Sequence, residues 1–551
     1  MIHLFLLQPV DGASGLALQE PWVHGTAQAV WARVADLQQA TDTCEAVDDD
    51  RFLFWDPSLG SPQRVVDWLR SRSEGPDPEP GEIFHAGLML GQAASPPMLD
   101  FVHPTWMLQR DPTLVRASSS WRVSLRACLV PVGFWRCSGG LGAGFDTLAA
   151  AGLELGFRWW RQGALMRHVP AWVDRPAEPR AVISAADELR CVEHMTGRFW
   201  ARWAAMRSWR HGDRALRELP AASRSSIRVS RGGGLGLGAP TPSSAGAQPA
   251  PVGVLIPTLD RYPYLEVVLD QLQHQTVPPR HVVVVDQTEP GRRRRDWHRA
   301  YPDLSLTVIE QDRPGQSTAR NAGLRRLDTE RVLFLDDDVE IEPDLIARHS
   351  AVLDLYGADV SCGVTEEVGA GALPEEFLRR RLADVFPTCN CMATRDVLMR
   401  SGLFDLAFDF GPRADADLGM RIYLAGGLMV LEPSIRVLHH KAPSGGLRRH
   451  KARVVTYADS RRRLWARHLP HATELYLARR YFTGRQAGEA RLLRLLGTLR
   501  GRGSALRRVL KGVIGLALWP HSSWKVRQAQ RRADELACRF PQIPQLDEPA
   551  P

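Results

Sequence analysis

Val332-Leu333-Phe334-Leu335-Asp336-Asp337-Asp338-Val339 joins an apolar run directly to three carboxylates. Four successive apolar residues read as a strand buried on both faces, and an isolated buried carboxylate triplet would be strongly destabilising, so the acids belong at the strand's end, in a cleft. Adjacent carboxylates repel unless cations neutralise them, and oxygen ligands suit Mg²⁺ or Mn²⁺ together with substrate phosphates. An Asp-rich turn fits the triplet equally well when it is taken alone. The flanking sequence decides between the two.

Upstream, an apolar strand from Val252 to Ile256 stops at Pro257-Thr258, a helix is predicted around Tyr264 to Gln275, and His281 to Val285 forms a second strand ending in Asp286. A third strand covers Leu306 to Ile309, and a helix beginning near Ser317 leads into the strand that ends at Asp336. Alternating strands and helices imply right-handed crossovers and a parallel sheet, whose ligand crevice lies beyond the carboxyl ends of the strands. Thr258, Asp286 and Asp336 are expected to line that crevice.

The chain has 551 residues, enough for several domains. Residues 1–221 alternate short apolar runs with polar turns and are rich in Trp, for example Trp121, Trp135, Trp159 and Trp160. Residues 222–251 collapse to Gly, Ala, Ser and Pro, a composition that cannot bury enough apolar surface to offset ordering, and read as a linker. The regular α/β pattern occupies 252–443, and 444–551 turns into basic, Leu-rich helices at Ser460 to His468, Glu489 to Leu499 and Ser504 to Leu510.

The net charge is +8, distributed unevenly: residues 441–551 hold 24 Lys and Arg against 7 Asp and Glu, which leaves the rest net negative. Such a tail could meet an anionic membrane surface, nucleic acid or an acidic polymer, or could be a solvated helical face. Basic helices with Trp465, Trp519 and Trp524 among them suit a membrane surface; packing back on the α/β domain is the alternative. The eight cysteines are dilute and irregular, against a disulfide framework and in favour of a reducing cytoplasm. Met1 to Gln8 lacks a basic leader region and reads as a first strand. No run reaches the length of a membrane-spanning helix; the nearest, Val509 to Trp519, contains Lys511.

Between residues 252 and 443 a series of motifs occurs in a fixed order: Ile256-Pro257-Thr258, Val283-Val284-Val285-Asp286, Gly315 through Ala319-Arg320-Asn321-Ala322-Gly323, Asp336-Asp337-Asp338, Asp415-Ala416-Asp417-Leu418-Gly419-Met420-Arg421, and Val437-Leu438-His439. This order resembles the family 2 glycosyltransferases, inverting enzymes of the GT-A fold. The resemblance implies a Rossmann-like mixed sheet, a nucleotide-diphosphate sugar donor and a hydroxyl acceptor on a glycan or a lipid-linked glycan. It implies that Pro257, Thr258, Asp286, Arg320, Asn321, Asp336 and Asp337 contact the donor nucleotide, and that Asp336, Asp338 and His439 hold the divalent cation, with His440 able to substitute for His439. Asp415 matches the base that accepts the acceptor's proton, with Asp417 and Arg421 beside it. Ala414 stands where the family carries a glutamate, and Asp417 replaces the usual glutamate before Leu418, departures that bear on acceptor type. Nucleic acid is not an expected partner.

A second, worn copy lies upstream. At a constant offset of 263, residues 138–170 pair with 401–433: Ser138-Gly139 with Ser401-Gly402, Phe145-Asp146 with Phe408-Asp409, Leu155-Gly156 with Leu418-Gly419, and Pro170 with Pro433. Arg51 to Ser58 likewise matches Arg331 to Asp338, and only its first acid, Asp56, survives. Gly152 then faces Asp415 and Pro176 faces His439, so residues 1–221 are expected to form a catalytically silent GT-A-like module. The whole is read as a metal-dependent, inverting glycosyltransferase at the cytoplasmic face of a membrane, making a cell-surface polysaccharide or glycolipid. A sugar-phosphate nucleotidyltransferase is the alternative enzyme, though Pro257 to Arg261 is not its Gly-rich loop. A non-catalytic carbohydrate-binding scaffold is the alternative of another class.

Overall fold

The computed structural model describes residues 1–9, 21–72, 81–87, 97–112, 116–142, 144–173, 183–210, 217–218, 250–369, 371–442, 445, 455 and 457–547. The expected linker, but for its last two residues, and Pro176 lie outside these. Two compact units result. One comprises Met1–Ala239 with Pro374–Leu382 and Tyr423–Leu431; the other comprises Pro240–Leu373, Ala383–Ile422 and Glu432–Pro551. Pro374–Leu382 and Tyr423–Leu431, which lie between 252 and 443 in the sequence, group with the first unit.

The first sheet has seven strands: β1 (Ile2–Gln8), β2 (Ala27–Trp31), β3 (Arg51–Trp55), β4 (Glu82–Ala86), β5 (Ser118–Ser119), β6 (Ala127–Pro131) and β7 (Leu165–His168), in the order β2-β1-β3-β6-β4-β7-β5. One of its faces is a core of Leu4, Leu53, Trp55, Phe84, Leu129 and Trp172. Asp56, which the sequence match sets against Asp336, has structural partners: it accepts from Ser58 N–H (2.9 Å) and from Arg126 Nε (2.8 Å). The helix Leu148–Gln162 carries Gly152 and Gly156 against passing backbone. A Cβ on Gly152 would lie 2.5 Å from the Val123 carbonyl oxygen, so that oxygen fills the space a side chain would need.

The second sheet has nine strands: β8 (Val252–Thr258), β9 (His281–Asp286), β10 (Leu306–Glu310), β11 (Arg331–Leu335), β12 (Val339–Ile341), β13 (Val360–Glu367), β14 (Arg381–Leu382), β15 (Asn390–Thr394) and β16 (Met429–His439). Their order is β10-β9-β8-β11-β15-β13-β16-β12, with β14 on β16. The Val- and Leu-rich strands β8, β9 and β11 are buried on both faces, as parallel strands flanked by helices must be. β8 pairs in parallel with β9 and β11, whereas β15 is antiparallel to β11, so the sheet is mixed. The helix expected from Tyr264 begins two residues earlier, at Tyr262, because Pro263 suits a first turn that needs no N–H.

The two sheets share pairing registers. β3 and β6 align Arg51 with Pro131 and Trp55 with Ala127; β11 and β15 align Arg331 with Thr394 and Leu335 with Asn390. β5 and β7 align Ser118 with His168, and β14 and β16 align Arg381 with Leu431, 263 residues further on in both members of the pair.

After β16 the described residues form the helices Tyr457–Arg462, Ala472–Tyr481, Gly484–Gly497, Ala505–Ala517 and Trp519–Arg539. The first of these stops at Arg462, short of the expected His468. Helix Ala472–Tyr481 packs on the α/β domain through Tyr476 Oη, which donates to Asp405 (2.6 Å), and Tyr481 Oη, which donates to Asp417 (2.7 Å). Among the described residues no helix is long and apolar enough to cross a membrane.

Candidate functional site

The strand pairing sets Thr258 opposite Asp286 at one edge of the second sheet, and Asp336 follows β11 at the same edge. Beyond that edge lies a cavity lined by Pro257, Thr258, Arg261, Gln287, Gly315, Gln316, Arg320, Asp336, Asp337, Asp338, Asp409, His439 and Lys441. The triplet forms the turn between β11 and β12, and its carboxylates go to different partners. Asp336 and Asp338, with His439, offer ligand atoms that all lie within 4.8 Å of one another. Asp337 turns away from this group and accepts from Thr258 Oγ1 (2.7 Å) and Arg261 Nη1 (3.0 Å).

His439 is delivered by β16, whose antiparallel pairing with β12 sets it opposite Val339. Its Nε2 lies 3.1 Å from Asp338 Oδ1, and Asp338 Oδ2 accepts from Ala442 N–H (2.8 Å). Burial pushes the Asp338 carboxyl up, but the His439 bond and the Arg261 charge outweigh it and hold the group at about 2. Burial likewise lowers the His439 imidazole, yet the bond to Asp338 and the nearby carboxylates raise it overall. Asp337 is pushed up to about 6 by burial and by Asp338, against the pull of Arg261 and Thr258. Two carboxylates and one imidazole, gathered at a cavity wall, fit a hard or borderline divalent cation.

The cationic side of the cavity is Arg261 and Arg320. Arg261 Nη1 lies 3.2 Å from Asp338, and Arg320 Nη2 donates to Asp336 (2.9 Å) and Thr388 Oγ1 (3.3 Å). Both guanidiniums can fork onto phosphate oxygens. Arg261 carried no motif signal, since its role depends on facing a triplet 75 or more residues away. Asp409, also unforeseen, accepts from Ser317 N–H (2.9 Å), Thr318 N–H (2.8 Å) and Thr318 Oγ1 (2.6 Å), capping the helix Gln316–Arg326 where Gly315 opens it. Its one trace in the sequence is the repeat, which matches Phe408-Asp409 to Phe145-Asp146.

Backbone strain gathers around the same place. Asp260, Arg413 and Lys441 are the non-glycine residues with positive φ among those described; the first and last border the cavity, and Arg413 precedes the helix Ala414–Leu424. Each such residue stores on the order of 1 kcal/mol or more, sustained only where the surroundings fix it.

Asp286, Asn321, Asp415, Asp417, Arg421 and His440 are not among the residues that line this cavity. Asn321, one residue and about 100° round the helix from Arg320, clamps the Phe404 backbone, donating to its carbonyl and accepting from its N–H (both 2.8 Å). Asp286 is buried at the strand end and is held by Tyr262 Oη (2.6 Å) and Thr288 N–H (2.9 Å). His440 faces away from the ligand group, with Nε2 2.5 Å from Glu340. On the helix Ala414–Leu424, Asp417 is fully buried and takes both Arg421 and Tyr481, which makes the Asp417–Arg421 pair a brace within the fold. Asp415, two residues earlier, is half-buried and accepts from Ala416 N–H (2.8 Å). The Cys389 thiol is driven to about 12 by burial first and by the Asp336 carboxylate next, with Asp415 contributing least.

Residues 253–407 match the family described as Glycosyl transferase family 2. Among curated proteins, the chain is 26% identical over 136 residues to the poly(ribitol-phosphate) beta-N-acetylglucosaminyltransferase TarS of Staphylococcus aureus, covering 24% of each protein. It is 25% identical over 127 residues to the uncharacterized glycosyltransferase YwdF of Bacillus subtilis, covering 22% of this chain and 47% of that one. The match thus spans about a quarter and about half of these relatives. Among solved structures, the mannosyltransferase PcManGT from Pyrobaculum calidifontis, in complex with GDP-Man and Mn²⁺, is similar at 21% identity and a TM-score of 0.35, covering 52% of this chain and 87% of that one. That structural likeness is slight, and the assignment stands on the family match and on the order of its motifs along β8 to β15. Residues 253–407, which carry β8 to β15 of the second sheet, are therefore identified as a family 2 glycosyl transferase domain.

Proposed function

We propose that the chain is an inverting glycosyltransferase that moves a sugar from a nucleotide-diphosphate donor to a hydroxyl acceptor, in the synthesis of a cell-surface polysaccharide or glycolipid. The observation that carries this reading is the gathering of Asp336, Asp338 and His439 at the sheet's carboxyl edge. In this reading the three residues would hold a divalent cation, which would supply positive charge to the departing diphosphate. Arg320 and Arg261 exchange their carboxylate partners for phosphate oxygens as the donor enters. Asp337 fixes Arg261 and Thr258 at the mouth of β8. Asp415 accepts the proton of the attacking hydroxyl, a role open to it because its carboxylate, unlike that of Asp417, is not consumed by an arginine and a tyrosine.

The N-terminal unit is a silent copy in this proposal. The shared registers support descent from one ancestor, and the Val123 carbonyl occupies the space where a side chain at position 152, the counterpart of Asp415, would project. A polyol phosphate polymer, the acceptor in the name of the Staphylococcus aureus relative, is the acceptor class to try first. None of the eight cysteines is in a disulfide, which suits the reducing face of a membrane. The test is release of nucleotide diphosphate from a donor panel by the purified chain, with and without Mn²⁺ or Mg²⁺. No metal-dependent release from any donor would overturn the proposal.

A further inference from the structure

The helix Ala505–Ala517 faces the wrong way for a helix surrounded by water. Leu506, Val509, Leu510, Val513 and Leu516 recur at the helical period and form one stripe, yet all five are 45–78% exposed. The buried side carries Lys511 and Gly515 instead. Lys511, 1% exposed, donates from Nζ to the carbonyls of Arg463 (3.0 Å), Leu464 (2.9 Å) and Ala466 (2.6 Å). Gly515 lets the helix seat closely on Leu499, where a Cβ would meet that side chain at 2.7 Å. These two contacts fix the rotation of the helix. Turning it half round would bury the stripe and free the ammonium, the arrangement that water favours.

The charge around the stripe identifies what covers it. Residues 490–533 hold eleven Lys and Arg and no Asp or Glu. Arg502, Arg507 and Arg508 are exposed on or beside this helix, and Lys525 and Arg527 are exposed on the next, flanking Trp524, which is itself exposed. A second copy of this face would bring like charges together, whereas anionic headgroups over acyl chains complement both the rim and the stripe. Thirteen residues make a helix of about 20 Å, too short to span a bilayer and suited to lying in its plane.

We propose that the helix Ala505–Ala517 lies in the surface of an anionic lipid bilayer, its stripe among the acyl chains and its arginines at the headgroups. This deepens the membrane placement in the proposed function, and it holds whether or not the transfer chemistry does. The experiment floats the full chain with phosphatidylcholine vesicles that contain or lack phosphatidylglycerol, at low and high salt. The wild type is expected to float with the anionic vesicles, less so at high salt, and the double substitution Val509→Asp and Val513→Asp to weaken binding at least about tenfold. Both positions are exposed, so the thermal midpoint should not move. As a second readout, amide exchange over 505–517 should slow when anionic vesicles are added to the wild type. The inference is overturned if the wild type stays in solution, if the double variant floats as well as the wild type, or if the wild type is an oligomer that the double variant converts to monomers. Asp338→Asn is expected to float normally, which separates a failure of membrane docking from a failure of the transferase reading.

Discussion

Asp338→Asn and Asp337→Asn, compared side by side, test whether neighbouring acids of one triplet do different work. Asp338 belongs to the group with Asp336 and His439, whereas Asp337 is turned toward Thr258 and Arg261. A divalent cation at a hundred times its dissociation constant stabilises the fold that binds it by about 2.7 kcal/mol. At about 2 °C per kcal/mol for a domain of this size, the wild type should gain roughly 5 °C when Mn²⁺ is added. Asp338→Asn removes one of three donors and the charge that faces His439, so its gain should fall below about 1 °C. Without metal the variant starts lower, by about 1–3 kcal/mol, because its amide replaces a carboxylate that accepts from Ala442 and pairs with His439. The assay is therefore the metal-induced change within each variant, read by differential scanning calorimetry. Asp337→Asn should keep most of the wild-type gain. A normal gain in Asp338→Asn, or a lost one in Asp337→Asn, would refute the division of roles.

Asp415→Asn should lower the rate of sugar transfer by about 10²–10⁴-fold while donor binding by calorimetry stays unchanged; a loss of donor binding would mean the residue holds the donor and not the acceptor's proton. Gly152→Ala should destabilise the first unit by about 1–3 kcal/mol in chemical unfolding, since its Cβ would lie 2.5 Å from the Val123 carbonyl oxygen. Tyr481→Phe should cost about 1–3 kcal/mol, because the buried Asp417 carboxylate would lose one of its two partners. Acid should weaken the fold through His349, which is fully buried, bonded to Ser361 and Asn390, and driven to about 4 by burial. Its folded value lies below the unfolded one of about 6.5, so the unfolded chain takes up the proton first; the contribution is complete above pH 6.5 and fades toward pH 4, by about 3 kcal/mol in all. Unfolding of wild type and His349→Gln at pH 7, 5.5 and 4.5 checks this, and the variant should show the shallower decline.

Some of this protein was readable from local pattern alone. Strands that are apolar on both faces announce a parallel layer, and the acids or hydroxyls that end them, Thr258, Asp286 and Asp336, fall at one edge because parallel strands end together. The match of residues 138–170 to 401–433 was also readable, and the pairings of β5 with β7 and of β14 with β16 keep its offset. Facing directions were not readable. Arg320 and Asn321 are neighbours in sequence, yet one meets Asp336 and the other braces Phe404, because a helix turns about 100° per residue. Asp415 and Asp417 looked alike until Arg421 and Tyr481, the latter 64 residues away, proved to occupy the second.

The amino-acid sequence by itself determined that residues 252–443 hold strands with acids at their tips, and that a basic, Leu-rich helix begins at Ser504. Only the tertiary structure decided that Arg261 meets the triplet, that Asp409 caps a helix 91 residues before it, and that the stripe looks outward. Periodicity fixes which residues share a face, but the direction a face takes is set by contacts from elsewhere in the chain, and the three carbonyls that hold Lys511 come from a segment 45 to 48 residues away.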